Sequence, residues 1–299
     1  MDAITDADYI SNFVGQRLAT RGLAHSPVSL RRYSQGPGVA DSKLVFLSEG
    51  KHGFVVTISP ALFPDIVADE WHKAAQMRSL LGELGAPILE PLDSGRIQTS
   101  SYVIVPYRKP LSERRGLRWL DRIVVRRPLL LWLLQVAQQL SAACDASRYE
   151  ASLKALGAAV SGDSASSALL REAGARLESG RFAPRSAPMH GDIWKGNVLH
   201  GAGTTPFTLV DWRGSETDGF PIFDLVHAAC SFGLSPKALH RELQLHRAAL
   251  GCQLEDLPLY LLGALGHYAA HLGEMPLALF RKMSENCVRL LSSGLGSSP

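Results

Sequence analysis

Three side chains with the right chemistry recur within a short span in the second half of the chain. Asp192 lies in Met189-His190-Gly191-Asp192-Ile193-Trp194-Lys195-Gly196-Asn197-Val198-Leu199. Asn197 follows in the same stretch, and Asp211 closes the apolar run Phe207-Thr208-Leu209-Val210-Asp211-Trp212. The two acids are 19 residues apart. That leaves room for a loop, a short strand, a turn and a second strand, which can bring the chain back to its starting point. Such a set suits phosphoryl transfer. One carboxylate orients an acceptor hydroxyl, while an amide oxygen and a second carboxylate hold Mg²⁺ against nucleotide phosphates. An ordinary carboxylate, with a pKa of about 3.9, is a weak base. Asp192 would therefore chiefly position the hydroxyl, with proton transfer late. Asn197 and Asp211 offer hard oxygen ligands for the metal. Rival chemistries lack their residues: His190 and Asp192 have no further His or Cys at metal-ligand spacing nearby, and there is no Gly-x-Ser-x-Gly elbow.

The elements that must position these groups can be read from the pattern of apolar residues. At 299 residues the chain has room for one large domain or two modest ones with an ample core. A hydrophobic fraction of 46% and a charged fraction of 20% are those of a soluble globular protein. The net charge of +3 is too small to demand a nucleic-acid partner. Cys144, Cys230, Cys252 and Cys287 are scattered, with no Cys-x-x-Cys pair, so neither a zinc site nor a disulfide framework is expected. Reduced thiols in a cytoplasm fit that pattern. The opening Met1-Asp2-Ala3-Ile4 has no basic start followed by an apolar block, so no secretory leader is expected. The longest apolar run, Leu129 to Leu134, falls far short of the ~20 residues of a membrane span.

Along the chain, Ile10, Phe13, Val14 and Leu18 predict an opening helix. The runs 28–33, 43–47 and 54–58 predict three antiparallel strands joined by glycine-containing loops. A helix is predicted over 67–84, with Pro64 and Asp65 ahead of it and Gly85 after it. Residues 87–92 lead to a turn at Gly95 and a β-rich run over 101–107. Helical spacing then covers 129–146 and 150–177, with a break at Gly162-Asp163-Ser164. Residues 181–188, with two prolines, read as a linker, and 214–221 as a polar turn. Helices are predicted over 222–232, 236–250, 256–272 and 276–291. The fold class is α+β, with a β-rich first part and a helix-rich second part.

The stretch 189–212 resembles the catalytic and metal loops of the aminoglycoside phosphotransferase and choline kinase family, relatives of the protein kinases. Its pattern of His-Gly-Asp, four residues and Asn is met by His190-Gly191-Asp192 and Asn197. Its apolar pair, Asp and aromatic are met by Val210-Asp211-Trp212. The resemblance implies a bilobal protein-kinase-like fold, with a nucleotide-binding N-lobe over 1–106 and a C-lobe over 107–299 carrying both loops and the acceptor site. It implies Asp192 as catalytic residue and Asn197 and Asp211 as metal ligands. His190 would brace the loop, and Lys195 would either meet the transferring phosphate or face solvent. Trp194 or Trp212 would stack on an acceptor or belong to the core. Asp224 matches a family aspartate at a helix start. Gly36 and Gly38 would cover the phosphates unless they only shape a hairpin. Val105 and Tyr107 would lie at the hinge that takes adenine. One departure stands out. The family's third strand normally carries a phosphate-binding lysine, and Thr57 occupies that place. Glu70, which would pair with that lysine, is left without it. Lys43, Lys51 and Arg32 are the nearby cations that would be its substitutes.

The implied activity is ATP- and Mg²⁺-dependent phosphorylation of a small-molecule hydroxyl on a sugar, amino sugar or amino alcohol, with GTP as a second nucleotide to test. The charges of the last sixty residues are mixed, which does not favour a polycationic acceptor. The alternatives are a pseudokinase-like nucleotide-binding or scaffold protein, motivated by Thr57, and a kinase of a lipid-linked saccharide. The last is motivated by the segment from Arg108 to Arg127, where eight basic residues face only Glu113 and Asp121. That segment is either a solvated surface before a core helix or a contact for an acidic membrane face.

Overall fold

A computed structural model describes residues 7–23, 28–35, 42–49, 52–112, 119–160, 164–273 and 275–296. They fall into two compact units. The first lies within Met1–Ser79, Gly85–Pro110 and Leu199–Arg213, and the second within Leu80–Leu84, Leu111–Val198 and Gly214–Pro299. The fold is bilobal and kinase-like, β-rich in the first unit and helical in the second.

In the first unit the strands β1 (Ser29–Gln35), β2 (Lys43–Glu49), β3 (His52–Ile58), β4 (Asp93–Ile97) and β5 (Ser100–Pro106) form one antiparallel sheet in the order β1-β2-β3-β5-β4. Alternation along each strand divides its residues between the two faces. Val45, Leu47, Phe54, Val56 and Ile58 meet Ile10, Val14 and Leu18 of helix α1 (Ala7–Thr20). Those three recur every fourth residue, so one stripe of α1 is apolar. Val55, Val103 and Val105 point to the other face, where they meet Ile66, Val67 and Trp71 of α2 (Ile66–Leu81). Thr57 pairs with Val103 and shares the face of Val55, so its side chain is on the α2 side. Gly95 lies inside β4 opposite Tyr102, and the turn falls at Gln98 instead, which takes φ 55°. A Cβ at Gly95 would stand 3.4 Å from the Tyr102 ring, an ordinary contact, so neither chain reversal nor a close approach demands glycine there.

The second unit holds α3 (Arg127–Leu140), α4 (Ala146–Ala159), α5 (Ser164–Glu178), α6 (Ile222–Phe232), α7 (Pro236–Leu250), α8 (Leu257–Ala270) and α9 (Leu277–Leu295). Helix α3 stops short of the predicted Ala146. Arg185 clamps Ser141 through its carbonyl (2.7 Å) and hydroxyl (3.2 Å), and the Asp145 side chain accepts the Ser147 N–H to start α4. Residues Ala142–Ala143 form the short β6 between them. The predicted linker before the catalytic loop is in fact strand β7 (Arg185–Met189), buried from Ser186 onward. It lies between β6 and β10 (Glu216–Gly219), which replaces the predicted polar turn. Proline content and polarity misled there, because short strands can be held by their neighbours rather than by their own propensity. Between the two units' strands the chain makes β8 (Val198–His200) and β9 (Phe207–Leu209), a two-stranded pair.

Candidate active site

The loop that carries Asp192 and Asn197 is built at the end of β7, and its shape depends on one buried carboxylate. Asp224 sits in the first turn of α6 and is 3% exposed. Its two oxygens accept the backbone N–H groups of His190 (2.7 Å) and Gly191 (2.9 Å). Burial pushes its carboxyl up to about 7, opposed by those two N–H donors. Gly191 takes φ 88°, and a Cβ there would come within 2.1 Å of the Tyr268 hydroxyl and 2.5 Å of the Gly214 carbonyl oxygen. Only glycine fits such a position. The Tyr268 hydroxyl donates to the Gly191 carbonyl (2.7 Å), so this peptide is held from both ends.

Past that anchor the loop closes on itself. The His190 ring accepts the Asp192 N–H at Nδ1 (3.2 Å), and the Asn197 side-chain nitrogen donates to the Asp192 carbonyl (3.0 Å) and carboxylate (2.8 Å). Asn197 thus spends its nitrogen on Asp192 and leaves its amide oxygen for a hard cation. The Lys195 backbone N–H is taken by the Ser231 hydroxyl of α6 (2.8 Å). Trp194 is half exposed, whereas Trp212 is buried and donates to the Leu209 carbonyl, so Trp212 belongs to the core.

Two residues of this loop's surroundings were not singled out in the sequence. His227 lies one helical turn after Asp224, with Nδ1 3.9 Å from the Asp192 carboxylate, and stacks on Phe223 at 4.5 Å. Burial lowers its pKa to about 4, so it faces Asp192 as a neutral imidazole. Its spacing from Asp224 on one helix was a usable signal. Tyr268, whose ring lies 4.8 Å from Phe223, is 77 residues from Gly191 and left no such signal.

In the first unit, Asp211 follows β9 at φ 66°, a left-handed conformation uncommon for a residue with a side chain. No described residue hydrogen-bonds its carboxylate. Helix α2 holds the residues that follow. Glu70 accepts the Trp212 N–H, and Lys73 donates to the Arg213 carbonyl (2.9 Å). Burial, then the nearby Asp211 charge, raise the Glu70 pKa to about 7 against the pull of Arg213 and the Trp212 N–H. Glu70 therefore has a partner in place of the missing lysine. Val105 is buried in β5, and Tyr107 follows it with its ring partly exposed and its N–H on the Gly53 carbonyl (2.8 Å). Of the three cations near Thr57, Arg32 pairs with Phe46 on the α2 side of the sheet, and its guanidinium lies over that ring. Lys43 alternates to the α1 side, and Lys51, like Gly36 and Gly38, is outside the described residues. Among the described residues no group of three or more His, Cys, Asp or Glu side chains could hold a metal by itself. No described helix is long and apolar enough to cross a membrane.

Comparison with known proteins decides the family. A model of the phosphotransferase enzyme family, APH, matches residues 33–255. The chain belongs to this family. It is a phosphotransferase of kinase-like fold. Among solved structures, aminoglycoside phosphotransferase APH(4)-Ia aligns at 15% identity over 98% of this chain and 100% of its own, with a TM-score of 0.57. A thermostable mutant of that enzyme, solved as a ternary complex with AMP-PNP and hygromycin B, aligns at 16% identity over 96% and 99%, with a TM-score of 0.56. Choline kinase LicA from Streptococcus pneumoniae aligns at 13% identity over 95% and 99%, with a TM-score of 0.52. Likeness at these identities is one of fold. No curated protein matches the sequence.

Two outcomes are expected at the loop. Asp224→Asn keeps one acceptor but turns an amide N–H toward a backbone N–H, leaving a buried donor unsatisfied. It should cost about 2–3 kcal/mol in urea unfolding, and an unchanged midpoint would remove Asp224 as the loop's anchor. The His227 ring should stay neutral from pH 8 down to about 5, as ¹⁵N imidazole shifts would report. The unfolded ring takes up a proton near its ordinary value of 6.5, while the folded one does so only near 4. Stability is therefore full above that range and falls as pH is lowered through it.

Proposed function

We propose that this chain transfers the terminal phosphoryl group of ATP, with Mg²⁺, to a hydroxyl of a small molecule such as a sugar, amino sugar or amino alcohol. The observation that carries the reading is the state of the Asp192 carboxylate. It is fixed by Asn197 on a loop clamped by Asp224 and Tyr268, and it is 45% exposed at its side chain. A fixed but accessible carboxylate can take the hydrogen bond of an incoming hydroxyl and align its oxygen for in-line attack. His227, neutral beside it, adds no positive charge that would weaken this acceptor. Asn197 through its amide oxygen and Asp211 through its unengaged carboxylate fit a hard divalent cation, which would neutralise charge on the phosphates. Thr57 supplies no cation, so in this reading α2 serves the metal loop directly. Glu70 and Lys73 fix the backbone on both sides of the Trp212–Arg213 peptide and so hold Asp211 in its left-handed conformation.

Melting curves with Mg²⁺ and ATP, then with GTP, test nucleotide use. At 100 times the dissociation constant a ligand adds about 2.7 kcal/mol, and for a protein of this size each kcal/mol is worth roughly 2–4 °C. Asp192→Ala should keep the metal-dependent rise and lose transfer by about 10²–10⁴-fold in kcat. Asp211→Ala should lose the metal-dependent part of the rise. Near-full turnover by Asp192→Ala would end the assignment.

A second substitution separates a working site from a pseudokinase. Thr57→Lys puts an ammonium on the α2 side of β3, and one charged hydrogen bond to a phosphate is worth about 1.5–3 kcal/mol. ATP affinity should rise about tenfold if the phosphates lie on that face. Unchanged affinity would mean that they do not.

A further inference from the structure

Helix α3 and the turns before it carry apolar residues on two sides, yet only one of those sides is buried. Val125, Leu129, Trp132 and Leu133 lie within the core of the second unit. On the opposite side Trp119, Leu120, Ile123, Val124 and Leu131 are each roughly half exposed or more, up to 62% at Trp119. Residues 119–121 are helical, Arg122–Arg126 form a π-helix, and α3 continues from Arg127, so these five side chains share one face of a nearly continuous helical stretch. Scattered exposed apolar residues are ordinary, but a contiguous face of tryptophan and branched aliphatics normally has an occupant.

We propose that this face lies on the surface of a membrane carrying anionic lipids. Charge selects that occupant. Arg127 is exposed one turn from Ile123 and one turn from Leu131, Arg126 precedes it, and neither has a hydrogen-bond or ion-pair partner among the described residues. The segment 108–127 has eight basic and two acidic residues, and one of the acids, Asp121, accepts the Ser112 N–H. A second copy of the chain would set arginines against arginines. An acidic bilayer surface offers phosphates to the arginines and acyl chains to the apolar residues, and tryptophan favours that boundary. The helix lies in the interface rather than crossing it, since no described helix is long and apolar enough to span. The binding is independent of the phosphoryl-transfer reading, and its test needs no substrate.

Co-sedimentation of the full chain with phosphatidylcholine vesicles, with and without phosphatidylglycerol, tests the proposal. The wild type should partition at least about tenfold more strongly to the anionic vesicles, and added salt should weaken it. Trp119→Ser with Ile123→Ser should weaken it by at least about tenfold. Arg126→Gln with Arg127→Gln should weaken it by about thirtyfold and flatten the salt dependence. Melting temperatures should be preserved in the Trp119/Ile123 pair, because both side chains are exposed. Equal partition to the two vesicle types, no partition, or partition unchanged by either pair overturns the proposal. So does a wild-type dimer by light scattering that Trp119→Ser with Ile123→Ser dissociates, for that assigns the face to a second copy.

Discussion

The loop after β7 depends on one buried carboxylate. Asp224 uses both oxygens on consecutive backbone N–H groups, those of His190 and Gly191, and is almost fully buried. Two N–H groups at the end of a strand would otherwise be left unpaired in the interior, which is costly. Their common acceptor sets the direction in which the chain leaves β7. Every later contact of the loop, from the His190 ring on the Asp192 N–H to Asn197 on the Asp192 carboxylate, starts from that direction. Behind the loop Tyr268, Phe223 and His227 form a row of rings that fills the space and excludes water without bringing a charge.

The loop that carries Asp211 is fixed by different means. Asp211 lies in a left-handed conformation that its own side chain disfavours, so neighbours must hold it there. Helix α2 does so through Glu70 and Lys73, one on each side of a single peptide. Glu70 is thus a half-buried glutamate whose carboxyl lies near Asp211. The same helix packs by Val67 and Ile66 on the valines of β3 and β5, so the loop that carries Asp211 is referred to the sheet through α2.

Much of this was legible in the sequence, and the failures have physical causes. The family followed from the stretch around Asp192, Asn197 and Asp211, whose residue types and spacing carry the resemblance. Helices α6 and α7 fall where periodicity put them, since long amphipathic segments carry their own signal. Strands β7 and β10 did not, because they are short and held by partners distant in the chain, and β4 was hidden by its polar residues and glycine although it forms a tight hairpin with β5. Gly95 was taken for a turn residue, yet it lies inside β4 and the chain reverses at Gln98. Tyr268 was invisible, because a hydrogen bond across 77 residues has no local pattern.

Residues 199–213 belong to the unit built from the beginning of the chain. Leu209 bonds to the Pro87 carbonyl and bridges Ile88, while Leu199 bridges Pro110. During synthesis the first hundred residues must therefore wait for a segment made about ninety residues later before their unit is complete. Its sheet can form early, but its lower border stays open while α3, α4 and α5 emerge. The two lobes are not successive beads on a string. A cut after Pro110 would not yield the whole first unit, and the piece it left out would be the one that carries Asp211.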